Sequence, residues 1–137
     1  ACLVTKKVSV GMTSGTHGST FGGNPLAMAV GNAVLDIIFE KNFLENVKQK
    51  GEYFDKELNR IKDKYPKIIG EIRGIGLIKG IKMLIDNTKF IEQLMKNKML
   101  TVKAEENVIR LFPPLVVSAK ELDEAILKIE KVCKEMS

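Results

Sequence analysis

Apolar residues recur along this chain in two periods, and the switches between them predict its elements. Leu44, Val47, Gly51, Phe54, Leu58 and Ile61 fall three and four apart, the spacing of one face of a surface helix that ends before Pro66. Between residues 68 and 83 the period shortens. Ile75, Leu77, Ile81 and Met83 alternate, and glycines at 70, 74, 76 and 80 interrupt the run, so two strands or one bent strand are expected. Asn87-Thr88 opens a short helix carrying Phe90, Ile91, Leu94 and Met95. Residues 100–103 and 108–112 read as short strands around a polar turn at 104–107, and Pro113-Pro114 stops the second. Ser118 followed by Glu121 is a capping box. It opens a last helix with Leu122, Ala125, Ile126, Ile129, Val132 and Cys133 on one face.

The first forty residues read differently. Residues 1–4 are apolar and lack any turn or capping signal, which suggests a buried strand and a chain cut from a longer protein. Residues 6–23 read as a loop. Asn24-Pro25 is a helix start, since Asn caps free amides and Pro at the first helical position has none to lose. Residues 26–39 are apolar on nearly every face apart from Gly31, Asn32 and Asp36, the pattern of a buried helix. A boundary is expected near residues 40–42. The fold class is therefore α+β: residues 42–137 form a small domain with a mostly antiparallel sheet covered by helices, and residues 1–41 are the end of a larger one.

Composition narrows the function classes. At 45% hydrophobic and 28% charged, the 137 residues are ordinary for a globular chain. They contain no apolar run of membrane-spanning length and no signal-peptide pattern, so no membrane role is expected. Cys2 and Cys133 lie at opposite ends and fit no metal spacing, which suggests free thiols in a reducing cytoplasm. The net charge of +5 invites a nucleic-acid partner. Its lysines, however, are interleaved with glutamates along amphipathic segments, as at Lys48, Lys50, Glu52, Lys56 and Glu57, and no basic block with aromatics occurs. The charge reads as a solvated surface, with no nucleic acid implied.

Two stretches could carry chemistry. Residues 15–23 hold Gly15, Gly18, Gly22 and Gly23 with the hydroxyls of Thr16, Ser19 and Thr20, directly before a helix start. Glycines admit close backbone approach and hydroxyls donate, so an anion such as phosphate suits the loop. A flexible loop whose hydroxyls only serve turns suits the same composition. A P-loop is excluded, because no lysine follows the glycines at the required place. Arg110 sits mid-strand among Val108, Ile109, Leu111 and Phe112. A buried arginine needs an anionic partner, either a fixed glutamate or a substrate carboxylate held bidentately. Of the two, the substrate-facing role is preferred. His17 reads as loop structure, and the spacing of Gly74, Gly76 and Gly80 is wrong for a dinucleotide fingerprint.

The run Gly15-Thr16-His17-Gly18-Ser19-Thr20-Phe21-Gly22-Gly23-Asn24-Pro25-Leu26-Ala27 resembles the signature downstream of the cofactor-bearing lysine in class III pyridoxal-phosphate-dependent aminotransferases. Residues 70–77 resemble that family's small-domain strand, residues 107–115 its carboxylate-binding strand, and residues 118–121 the start of its last helix. The resemblance implies the small domain and the end of the large domain of a fold-type-I transferase, with pyridoxal 5'-phosphate as cofactor. It implies that Thr20 hydrogen-bonds the cofactor phosphate of the neighbouring subunit, and so a homodimer with active sites at the interface. Ser19 then lines the substrate pocket, and Arg110 lies in the active site, where it meets a carboxylate or a glutamate. The substrates implied are a small-molecule amino donor and a 2-oxo acid acceptor. The Schiff-base lysine is expected upstream of residue 1, so no catalytic residue is assigned here and the chain alone is expected to be inactive. The rival expectation is a non-catalytic anion-binding or dimerisation module.

Overall fold

The computed structural model describes residues 3–137, so Cys2 and the first half of the strand expected over residues 1–4 lie outside the described residues. Leu3 and Val4 are exposed and belong to no strand. The chain divides into two compact units, Ala1–Glu40 and Lys41–Ser137.

The first unit holds a single turn of helix, α1 (Lys6–Ser9), and the longer α2 (Pro25–Ile38). The loop expected over residues 6–23 therefore begins with helix. Asn24 caps α2 as anticipated, its side chain accepting from the Ala27 amide. The expected burial of α2 is not observed, for none of its residues is buried. An all-round apolar helix needs cover on every side, and within this chain α2 has too little.

The second unit is built on an antiparallel sheet of β1 (Ile69–Ile75), β2 (Ile78–Met83), β3 (Val102–Ala104) and β4 (Val108–Leu111), in the order β1-β2-β4-β3. Three helices, α3 (Phe43–Lys64), α4 (Asn87–Lys96) and α5 (Ala119–Glu135), supply the rest of the core. Their buried residues follow the periodicity of the sequence: Gly51, Phe54, Leu58 and Ile61 on α3, Phe90 and Leu94 on α4, and Leu122, Ile126, Ile129, Val132 and Cys133 on α5. These side chains meet Ile69, Ile81, Met83, Ile109 and Leu111 of the sheet in one cluster. Asp86 rather than Asn87 caps α4, accepting from the Thr88 and Lys89 amides, which holds its carboxyl below the usual range. The Ser118–Glu121 capping box is present in full. Cys133 is a free thiol whose burial pushes its pKa up to about 12.

One surface network ties α3 to α5. Glu130 accepts from Arg60 Nη2 at 2.8 Å and from Lys64 Nζ at 2.6 Å, while Arg60 Nε also meets Glu57 at 2.7 Å. Hydrogen bonds from Arg60 and Lys64 hold the Glu130 carboxyl down at about 2, from an ordinary 4.5. A carboxyl with a depressed folded pKa stabilises fully above its unfolded value, and the gain is lost as pH falls toward the folded one. Arg60 and Lys64 are about half in solvent, so screening leaves the network only a modest contribution to stability. Glu130→Gln should lower the melting temperature at pH 7, and the gap to wild type should close between about pH 4.5 and pH 2. A gap that persists at the acid end would place the effect elsewhere.

Candidate functional site

In the first unit, Ser19 and Thr20 stand in a tight reversal just ahead of α2. The Gly22 amide donates to the Ser19 carbonyl at 3.2 Å, and Asn24 Nδ2 donates to the Phe21 carbonyl at 2.7 Å. Two glycines make this turn possible. A Cβ on Gly22 would come within 3.0 Å of the Ser19 Cβ, and Gly23 lies at φ +74, where a side chain is strained. Ser19 and Thr20 are exposed, and their hydroxyls take no hydrogen bond among the described residues. Residues 13–24 include no acid, and neither does the first turn of α2. Two uncommitted hydroxyls at a helix N-terminus free of negative charge suit part of a phosphate site. His17, in the same loop, is exposed.

In the second unit, Arg110 lies in β4. The strand alternation places Ile109 and Leu111 in the core and turns Arg110 to the opposite face of the sheet, where it is exposed. The expectation of an arginine buried among apolar neighbours, and so bound to a partner, is corrected: Ile109 and Leu111 point the other way, and Arg110 itself is exposed on the face it shares with Val108. Arg110 forms no ion pair among the described residues. It borders a concave cleft of about 420 Å³ whose lining includes Arg73, Gly80, Glu105, Glu106 and Val108. Gly80 pairs with Arg73 on one side and Arg110 on the other, so the three form one cross-strand row on a single face. A free guanidinium on the wall of a cleft can clamp a carboxylate bidentately.

Sequence reasoning missed two residues that set this geometry. Asn107, at φ 60 in the turn between β3 and β4, uses all of its amide. Its Nδ2 donates to the Met83 and Ile85 carbonyls at 2.8 Å each, and its Oδ1 accepts from the Asn87 amide at 3.0 Å. The signal available was the tolerance of Asn for the left-handed region. Lys79 is fully buried on the core face of β2, with Nζ 2.6 Å from Asp55 Oδ2 of α3. Position 79 alternates with Leu77 and Ile81, so its inward direction was readable, although its partner was not. Among the described residues, no group of three or more His, Cys, Asp or Glu side chains could hold a metal ion, and no helix is long and apolar enough to cross a membrane.

Against known families, the one described as aminotransferase class-III matches residues 1–133. The chain belongs to the class-III aminotransferases. An acetylornithine aminotransferase of Mesorhizobium japonicum is 48% identical over all of this chain, which covers 34% of that relative. The chain thus spans about a third of the length of the curated relative it matches. Among solved structures, an ornithine aminotransferase from Plasmodium yoelii superposes with a TM-score of 0.84 at 30% identity, over 98% of this chain and 36% of that one. The ornithine aminotransferase of Toxoplasma gondii, crystallised with oxidised glutathione and described as holding PLP at partial occupancy in its active site, gives 0.78 at 34% identity. The match covers 89% of this chain and 30% of that one. The class-III fold thus accounts for the mixed helix and antiparallel-sheet architecture.

Proposed function

We propose that this class-III chain is the C-terminal part of an acetylornithine aminotransferase. The reaction is transfer of the δ-amino group of N-acetylornithine to 2-oxoglutarate, in arginine biosynthesis in the cytoplasm. Residues 1–41 are the end of the large cofactor-binding domain and residues 42–137 the small domain. The observation that carries the reading is Arg110, a guanidinium with no ion pair among the described residues that faces a cleft from a paired strand, where both the donor and the dicarboxylate acceptor present a carboxylate to bind. The choice of substrate follows the 48% identity to an acetylornithine enzyme over the whole chain, against 30% and 34% to the two ornithine enzymes. Ornithine, succinylornithine and 4-aminobutyrate aminotransferases are the alternatives within the family, and a non-catalytic dimerisation module is the alternative outside it.

Pyridoxal phosphate, when bound, supplies the electron sink that amino-group transfer requires. This chain contributes binding and orientation. Thr20 donates its hydroxyl to the phosphate of the neighbouring subunit in a homodimer, and Ser19 borders the substrate beside it. Arg110 fixes the substrate carboxylate in a planar two-point contact, which orients the carbon that reacts. The lysine that bears the cofactor belongs to sequence upstream of residue 1, so the 137 residues alone do not turn over.

The test is steady-state assay of the full-length enzyme with N-acetylornithine and 2-oxoglutarate. Arg110→Lys keeps the charge and loses the fork. It should lower kcat/KM for 2-oxoglutarate by roughly thirtyfold, about 2 kcal/mol for a charged hydrogen-bond pair. A variant as efficient as the wild type would remove Arg110 from the site. Turnover by the isolated chain would overturn the division of labour.

A further inference from the structure

The cleft beside Arg110 holds a second guanidinium, and its placement is specific. Arg73 of β1 lies in the same cross-strand row, with Gly80 between the two arginines. The gap matters because a Cβ on Gly80 would come within 3.4 Å of Arg73 Cγ and 3.3 Å of Val108 Cγ1. The aliphatic stem of Arg73 thus lies across the strand that carries no side chain there. Its Nη2 reaches Glu106 Oε2, in the turn between β3 and β4, at 3.1 Å. Lys82, on the same face, donates its Nζ to the Glu106 carbonyl. Glu106 itself sits at φ 56, a strained position for a glutamate, and it lines the same cleft as Arg110.

A carboxylate in that cleft has two guanidinium groups to choose between. We propose that Arg73 is a positioning residue: it holds the Glu106 carboxylate away from Arg110 and so leaves that guanidinium available to the carboxylate of an incoming substrate. Without Arg73, Glu106 becomes an internal competitor for Arg110. The inference rests on Arg110 being the group that takes the substrate carboxylate. Because Arg73 and Glu106 are about half or more exposed, the competition is modest. An exposed ion pair shifts an equilibrium by up to about fivefold. Glu105 borders the cleft as well but takes part in no ion pair among the described residues, and it serves as the control.

The experiment is calorimetric titration of the full-length enzyme with glutarate, an unreactive dicarboxylate, alongside KM and kcat for 2-oxoglutarate. Arg73→Gln should weaken glutarate binding roughly threefold to fivefold and raise KM by the same factor, with kcat unchanged. Adding Glu106→Gln should restore both values, and Arg73→Lys should keep most of the wild-type affinity. A merely structural role would not produce that rescue. Arg73→Gln without effect, a loss that Glu106→Gln fails to restore, or a loss that Glu105→Gln restores equally well would each overturn the proposal. Arg110→Gln separates the two readings. If glutarate binding survives it, the assignment of Arg110 fails and this proposal with it. If Arg110→Gln abolishes binding while Arg73→Gln changes nothing, only the positioning role fails.

Discussion

Gly51→Ala should lower the melting temperature by roughly 8–16 °C, about 2 kcal/mol for a unit of this size. Helix propensity alone gives the opposite sign, since Ala is favoured over Gly by about 1 kcal/mol within a helix. Gly51 lies mid-way along α3 and is buried. A Cβ there would come within 2.7 Å of the Gly76 carbonyl oxygen and 2.8 Å of the Gly76 Cα and carbonyl carbon. Those are backbone atoms of the turn joining β1 to β2, itself fixed by Gly74 at φ +134 and Gly76 at φ +55. No side chain can move aside, so α3 must lift from the hairpin or the hairpin must bend. Gly51→Val should cost more still, because its branched side chain meets the same wall. Thermal melting followed by circular dichroism checks both. A melting temperature unchanged or raised by Ala would mean that the helix and the turn meet more loosely than these distances state.

What the sequence revealed and what it withheld divide along a physical line. The period of three and four from Val47 to Ile61 showed the buried face of α3, because burial along one helix is a local pattern. Asn24 and the Ser118–Glu121 pair showed two helix starts, because capping is completed within four residues. Pairwise contacts between distant elements were not legible. Gly51 counted as one more small residue on an apolar face, with no sign that Gly76 stood against it. Arg110 was read among its neighbours in sequence, whereas alternation sends Ile109 and Leu111 to the core and the guanidinium to the cleft. For α2, composition specified a helix that wants cover all round, but cover depends on what lies beside it. In the site, the hydroxyls of Ser19 and Thr20 were legible as candidate donors. The Arg73–Glu106 pair was not, since it joins β1 to the turn between β3 and β4 across β2.

The Lys79–Asp55 pair carries the second large effect, and it should be lopsided. Lys79 is fully buried, whereas the Asp55 side chain is 44% exposed. Their contact at 2.6 Å lacks hydrogen-bond alignment, so charge rather than geometry holds the ammonium in the core. Asp55→Ala removes the neutralising charge and leaves the cation stranded, at a cost of about 3 kcal/mol, the low end for such pairs because Asp55 is partly solvated. Lys79→Met removes the buried charge and keeps the volume of the stem, and it should be nearly neutral or stabilising. Urea unfolding of both variants measures the difference. Equal losses would mean that mutual attraction, not the burial of an ammonium, dominates at this site. Added salt should narrow the gap only slightly, since a buried pair is poorly screened. The asymmetry also bears on the cleft. Lys79 precedes Gly80, and the ion pair anchors β2 to α3 directly behind the residue that separates Arg73 from Arg110. Asp55→Ala should therefore disturb the spacing of that row as well as the core, whereas Lys79→Met should leave glutarate affinity in the full-length enzyme as it was.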